Sequence, residues 1–212
     1  LQPEEDRAIG DEYIARMREV LKDKVDADKI DEDGEIPDEA IDALAELGAF
    51  GIKIPKEYGG AGLSQMNYSR AMMFVASHCG NTGALLSAHQ SIGLPQPLKL
   101  FGTKEQKEKY YPRLAGGEIS AFALTETEVG SDPANMSTKA RLSDDGKHFI
   151  LNGEKLWCTN GTRAGLFVVM AQTPPKMVGG KERRQITAFI VERDMDGVEV
   201  VSRSHFMGLR AL

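Results

Sequence analysis

At 212 residues, 41% hydrophobic and 27% charged, the chain has ordinary soluble composition and enough length for one large core or two modest ones. A net charge of -6 argues against nucleic acid or an anionic membrane as partner, because binding a phosphate surface takes clustered Lys and Arg. Its two cysteines, Cys79 and Cys158, make neither a disulfide framework nor a Cys-x-x-Cys pair, which fits a reducing compartment, and there is no run of about 18 apolar residues to span a bilayer.

The acidic start, Leu1-Gln2-Pro3-Glu4-Glu5-Asp6, is the reverse of a secretory or transit peptide. No initiator Met is present, and both ends are treated as open to trimming. From Pro3 to about Lys24, the residues Ile9, Tyr13, Met17, Val20 and Leu21 recur at helical spacing and predict an amphipathic helix. Asp26 to Glu35 lacks periodicity and reads as a loop. Ile36, Ile41, Leu44 and Leu47 mark a second helix stopped by Gly48. Ile52 to Gly62 is irregular, and Gly59-Gly60-Ala61-Gly62 reads as a turn, since neither phosphate-loop pattern is present. Ser64 caps a helix to Cys79 with Tyr68, Met72 and Val75 on one face and Gly80 as its stop. Asn81 to Leu100, uncharged before Lys99, predicts a helix buried on most sides. Thr103 and Gln106 form a capping box for a helix ending near Pro112.

After Gly116-Gly117 short apolar runs between turns replace the helical spacing, so the boundary is placed there: an all-α domain over 1–118 and a β domain over 119–212. Candidate strands are Ser120 to Leu124, Ser137 to Leu142, Lys147 to Leu151, Lys155 to Thr159, Leu166 to Ala171, Gln185 to Val191 and Val198 to Ser202. Asp145-Gly146 and Asn152-Gly153 have hairpin-turn chemistry. Leu166-Phe167-Val168-Val169-Met170 is apolar throughout and predicts cover on both faces. Pro174 to Arg184 reads as an exposed, mobile loop.

Two stretches stand out. Phe122-Ala123-Leu124-Thr125-Glu126-Thr127-Glu128-Val129-Gly130-Ser131-Asp132 is an apolar strand entering a loop of hydroxyls and acids. Leu151-Asn152-Gly153-Glu154-Lys155-Leu156-Trp157-Cys158-Thr159-Asn160-Gly161 carries the one tryptophan of the chain. Taken singly, a tryptophan on a strand is core, a threonine on a strand reflects β propensity, and Gly-Ser-Asp is a turn. In this order and spacing they closely resemble the middle domain of the acyl-CoA dehydrogenases. The likeness extends through Ile54–Leu63, Ala88–Gly93, Phe101–Lys107 and Ile186–Arg193, nearest to the very-long-chain branch.

That resemblance implies an all-α N-terminal domain, a β-barrel-like middle domain incomplete at its C-terminal end, and a C-terminal four-helix domain absent from this sequence. It implies an FAD-dependent oxidoreductase of fatty acid β-oxidation that turns acyl-CoA into trans-2-enoyl-CoA. Electron-transfer flavoprotein would be its acceptor, the full-length chain a homodimer or homotetramer, and a bacterial cytoplasm or mitochondrial matrix its location. Carried over by position, Phe122, Leu124 and Thr125 edge the flavin, Thr159 bonds near the hydride-accepting nitrogen, and Trp157 covers the ring face away from substrate. Gly130 and Ser131 contact the cofactor, Ser131 also the acyl-CoA, and Cys158 lies between two flavin contacts as a small hydrophobe. No catalytic residue or metal ligand is assigned here, since the base is a glutamate of the absent domain. Glu126 is a poor substitute because its counterpart belongs to the cofactor loop, and His78, His89, His148 and His205 read as structural or surface. Rival readings are an acyl-CoA oxidase and a non-catalytic assembly protein on the same fold.

The sequence departs from the family in its loop: Thr125-Glu126-Thr127-Glu128-Val129 stands where a proline and small residues are usual. An inward Glu128 would repel the phosphates of CoA.

Overall fold

Helix α1 (Glu4–Lys24) buries Tyr13, Met17 and Leu21 along one face, with acids in its first turn and Lys22 and Lys24 in its last, each sign opposed to the helix-dipole end beside it. The computed structural model describes residues 2–212, so Leu1 of the acidic start lies outside the described residues. The stretch expected as a loop holds a second helix, α2 (Ala27–Asp33). Asp26 caps it through the Lys29 amide, Gly34 closes it with φ 70°, and Ile30 anchors it, so caps and one apolar residue outweigh the density of charge. Helix α3 (Asp38–Glu46) follows and ends before Gly48 as read.

In the turn at Gly59–Gly62 the amides are used internally: Gly60 donates to Pro55, Ala61 to Gly51 and Gly62 to Ile54. None is left over to cradle a phosphate. Helix α4 (Gln65–His78) is capped by Ser64 through the Asn67 amide. Gly80 does not stop the chain there but opens α5 (Gly80–Ser91), because extended Cys79 serves as the last cap of one helix and the first of the next. The single helix expected over 81–100 is broken as well. After α5 the chain turns through Gly93, and Pro95 starts α6 (Pro95–Phe101) at the first-turn position that suits proline. Helix α7 (Lys104–Ala115) opens with the predicted capping box and runs past Pro112, since Tyr110, Tyr111, Leu114 and Ala115 are buried there.

Among the described residues five strands make one sheet: β1 (Ser120–Ala123), β2 (Lys139–Leu142), β3 (Phe149–Asn152), β4 (Leu166–Val178) and β5 (Lys181–Glu192). Long β4 is its axis. β5 pairs antiparallel along it, while β1 and then β2 lie parallel to it, and β3 pairs with β2 through the turn at Gly146. The residues expected as a loop over 174–184 are exposed but strand-paired. Gly179 and Gly180, at φ 59° and 74°, supply the two-residue turn that matches strand twist, and Pro174-Pro175 coincides with a shift of register. Lys155 to Thr159 and Val198 to Ser202, expected as strands, pair with no strand among the described residues. Asn152-Gly153 makes no hairpin either: Gly153, φ 157°, lets the chain run against Thr138, where a Cβ would lie 2.4 Å from Oγ1.

The helices pack on β1 and β4. Phe167 joins the core of Met17, Leu44, Phe50 and Leu85, whereas Leu166 and Val168 on the other face join that of Leu98, Tyr110 and Leu114. Both faces of β4 are covered here, as its unbroken apolar run predicts. At the far edge Arg113 and Lys109 of α7 bond Glu192 of β5, each at 2.7 Å.

Candidate functional site

Strand β1 delivers the first of the two singled-out stretches to the edge of the sheet, and the second is fastened alongside it. The Leu156 amide donates to Thr125 O at 2.8 Å, the Lys155 ammonium to Leu124 O at 3.0 Å, and the Cys158 thiol to Phe122 O at 3.4 Å. Phe122, Leu124, Thr125, Trp157, Cys158 and Thr159 are thereby brought into one ledge. Trp157 is 64% exposed and sits at φ 53°, a left-handed conformation uncommon for a bulky residue, so its indole is turned outward and is not strand core. Phe122, Leu124, Thr125 and Thr159 are half-buried, and the threonine hydroxyls are not used in the bonds that hold the ledge. An open indole face beside hydroxyl groups fits a flat heterocycle with a polar edge. Gly130 and Ser131 are exposed on the adjoining loop, with open space over Gly130.

The loop is built around Glu126, 5% exposed. One carboxylate oxygen accepts from the amide and hydroxyl of Ser137. The other accepts from the amide of Thr138 at 3.0 Å, from its hydroxyl, and from the Lys155 ammonium at 2.8 Å. Burial raises the pKa of this carboxyl, but the bonds from Lys155, Ser137 and Thr138 outweigh it and hold the group far below the usual carboxylate range. An acid so held takes no proton near neutral pH and serves as the anchor of the loop, not as a base. Sequence reading missed this clamp, and its partners stand 11, 12 and 29 residues from Glu126. The one available signal is a glutamate placed directly after the apolar run Phe122-Ala123-Leu124 and Thr125.

Cys158 is half-buried, and burial pushes its thiol up to about 11, consistent with a packed hydrophobe and not a nucleophile. His89 is fully buried, as a structural histidine. Its Nε2 faces Phe50 O at 3.1 Å while its Nδ1 accepts from the Ser120 amide at 3.0 Å, so it is neutral with the proton on Nε2, and burial pushes its pKa down to about 4. Among the described residues no group of three or more His, Cys, Asp and Glu is placed to hold a metal, and no helix is long and apolar enough to cross a membrane.

Two family descriptions match nearly the whole chain: acyl-CoA dehydrogenase, N-terminal domain, over residues 3–118, and acyl-CoA dehydrogenase, middle domain, over residues 121–212. The chain belongs to the acyl-CoA dehydrogenase family. Probable acyl-CoA dehydrogenase FadE10 of Mycobacterium tuberculosis (strain ATCC 25618 / H37Rv) is 51% identical over 207 residues, which are 98% of this chain and 31% of that relative. The mitochondrial very long-chain specific acyl-CoA dehydrogenase of Macaca fascicularis is 43% identical over 202 residues, 94% of this chain and 30% of that one. Among solved structures, an acyl-CoA dehydrogenase from Bacillus anthracis complexed with FAD superposes with a TM-score of 0.82 at 34% identity, covering 99% of this chain and 34% of that one. The chain thus spans about a third or less of the length of these family members.

The departure from the family pattern in the loop has a simple geometry. Glu126 and Val129 exchange both backbone hydrogen bonds at 3.0 Å, leaving Thr127 and Glu128 as the exposed tip of a tight turn. Val129 points inward, 6% exposed, and the added charge of Glu128 faces solvent.

Proposed function

We propose that this chain supplies the N-terminal helical domain, residues 1–118, and the middle β domain, residues 119–212, of an FAD-dependent acyl-CoA dehydrogenase acting in fatty acid β-oxidation. The observation that carries the reading is the ledge: an outward indole in left-handed conformation beside the half-buried Thr125 and Thr159, in a chain of this family.

Phe122 and Leu124 would lie against the isoalloxazine edge, with Cys158 packed behind. Thr125 would bond the pyrimidine side, and Thr159 the region of the nitrogen that accepts hydride. Trp157 would cover the face away from substrate and keep water off it. Gly130 and Ser131 would approach the cofactor, with Ser131 also meeting acyl-CoA. When bound, FAD supplies the hydride acceptor for the β carbon. The base that removes the α proton is proposed to be a glutamate of a C-terminal helical domain in the parent protein, consistent with the anchoring role of Glu126. The product would be trans-2-enoyl-CoA, the electron acceptor an electron-transfer flavoprotein, and the assembly a homo-oligomer. Bacterial and mitochondrial relatives are compatible with a bacterial cytoplasm or a mitochondrial matrix.

The test is anaerobic mixing of the purified full-length parent with acyl-CoA of graded chain length. Bound yellow flavin that bleaches, with reoxidation by an electron-transfer flavoprotein, is expected. Full-length protein without flavin would overturn the reading, and hydrogen peroxide as the main product of turnover would move it to an oxidase.

A further inference from the structure

The residue after Thr159 has a place in this site that its side chain does not share with the ledge. Asn160 is 2% exposed and adopts φ 68°, in the left-handed region that Asn and Gly favour. It occupies the second central position of a tight turn closed by the Gly161 amide on Cys158 O at 2.8 Å, and Thr159 occupies the first. Gly161 completes the turn, because a Cβ there would meet Cys158 O at 2.8 Å. The Asn160 amide nitrogen donates to Leu85 O of α5 at 3.0 Å and reaches Ser120 O, at the start of β1, at 3.5 Å. Its Oδ1 is buried without a partner. Ser120 is itself held by His89, whose other ring nitrogen faces Phe50 O. One side chain therefore ties the Thr159 turn to both the central helix and the strand that carries Phe122.

We infer that Asn160 is a positioning residue for the flavin-facing hydroxyl of Thr159, setting its place on the ledge by pinning the turn to α5 and β1. The inference rests on the proposed flavin site. Left-handed backbone alone would be satisfied by glycine. The two donated hydrogen bonds would not, so the variant that separates the two contributions is Asn160→Gly, with Asn160→Asp as an isosteric partner that removes the donors.

In the full-length parent, FAD affinity is measured by fluorescence titration of the apoprotein, and the flavin midpoint potential and melting temperature are measured on each variant. Both variants are expected to bind FAD at least tenfold more weakly and to shift the flavin absorption bands and potential. Thr159→Val is expected to shift the potential in the same sense without the loss of turn rigidity. Wild-type FAD affinity and potential in Asn160→Gly would overturn the inference, as would a lowered melting temperature with both unchanged, which would leave Asn160 a core residue only. If wild-type protein takes up no FAD, the site itself is wrong, a result distinct from either.

Discussion

Replacing Lys155 by Met tests how the loop after β1 is held. The ammonium lies 2.8 Å from Glu126 Oε1 and 3.0 Å from Leu124 O, and the two charged side chains are 11% and 5% exposed. Met keeps most of the aliphatic stem, so lost packing is a small part of the effect. What remains is a buried carboxylate without its counter-ion. Removing one partner of such a pair costs about 3–5 kcal/mol. Four donors from Ser137 and Thr138 still hold Glu126, which places the expected cost at the lower end, about 3 kcal/mol. The loss is local, so the assay is native-state hydrogen exchange at the Ser137 and Thr138 amides in the full-length parent, whose several domains make global unfolding a poor measure. Exchange there should quicken on the order of 100-fold, since about 1.4 kcal/mol is a factor of ten. Amides on α1 should not change. Protection of Ser137 and Thr138 within threefold of wild type would refute the clamp.

Three further outcomes are expected. Because His89 is neutral when folded, with its pKa pushed from 6.5 to about 4, the unfolded chain binds the extra proton. Its stability is full above about pH 6.5 and falls as pH drops toward 4, by about 3 kcal/mol in all. A plot of melting temperature against pH checks this, and His89→Gln should flatten the slope between pH 6.5 and 4. Thr159→Val in the full-length parent should slow anaerobic flavin reduction by a barrier increase of about 1–3 kcal/mol, measured by stopped-flow absorbance. Unchanged reductive rates would remove Thr159 from the site. Trp157→Ala, at a residue that is 64% exposed, should leave the melting temperature of the apoprotein within a degree or two while weakening FAD binding several-fold, read by fluorescence titration.

What was legible in the sequence was what repeats over short range. The spacing of Tyr13, Met17 and Leu21, the Ser64 and Thr103 caps and the unbroken run from Leu166 each act within a few residues, and each appears where the pattern put it. Helix α2 was missed although both its caps, Asp26 and Gly34, are in plain view, because its charges hide a single anchoring isoleucine. The structure brings the two singled-out stretches together, but Lys155 to Thr159 does not take the strand backbone expected of it. Aromatic and β-branched content argues for a strand, whereas tertiary bonds from Leu156, Lys155 and Cys158 to β1 and the loop after it fix an irregular course with Trp157 turned outward. No local rule announces such bonds between residues about 30 apart in sequence.

The loop shows how a changed sequence can keep a turn. Losing a proline and gaining Glu128 and Val129 suggests a different shape, yet the turn needs only that Glu126 stay inside and that the chain reverse within two residues. Glu126 is bound by five donors, so it sets the position of the turn, and the two-residue reversal then returns Val129 to the inside and leaves Thr127 and Glu128 at the tip. A branched apolar side chain at the buried position adds contact, and a charge at the exposed one stays solvated at little cost. The constraint on this loop is therefore concentrated in the Glu126–Lys155 pair and the two hydroxyl residues facing it, and the tip residues are free to differ without moving Thr125 or the strand that presents it.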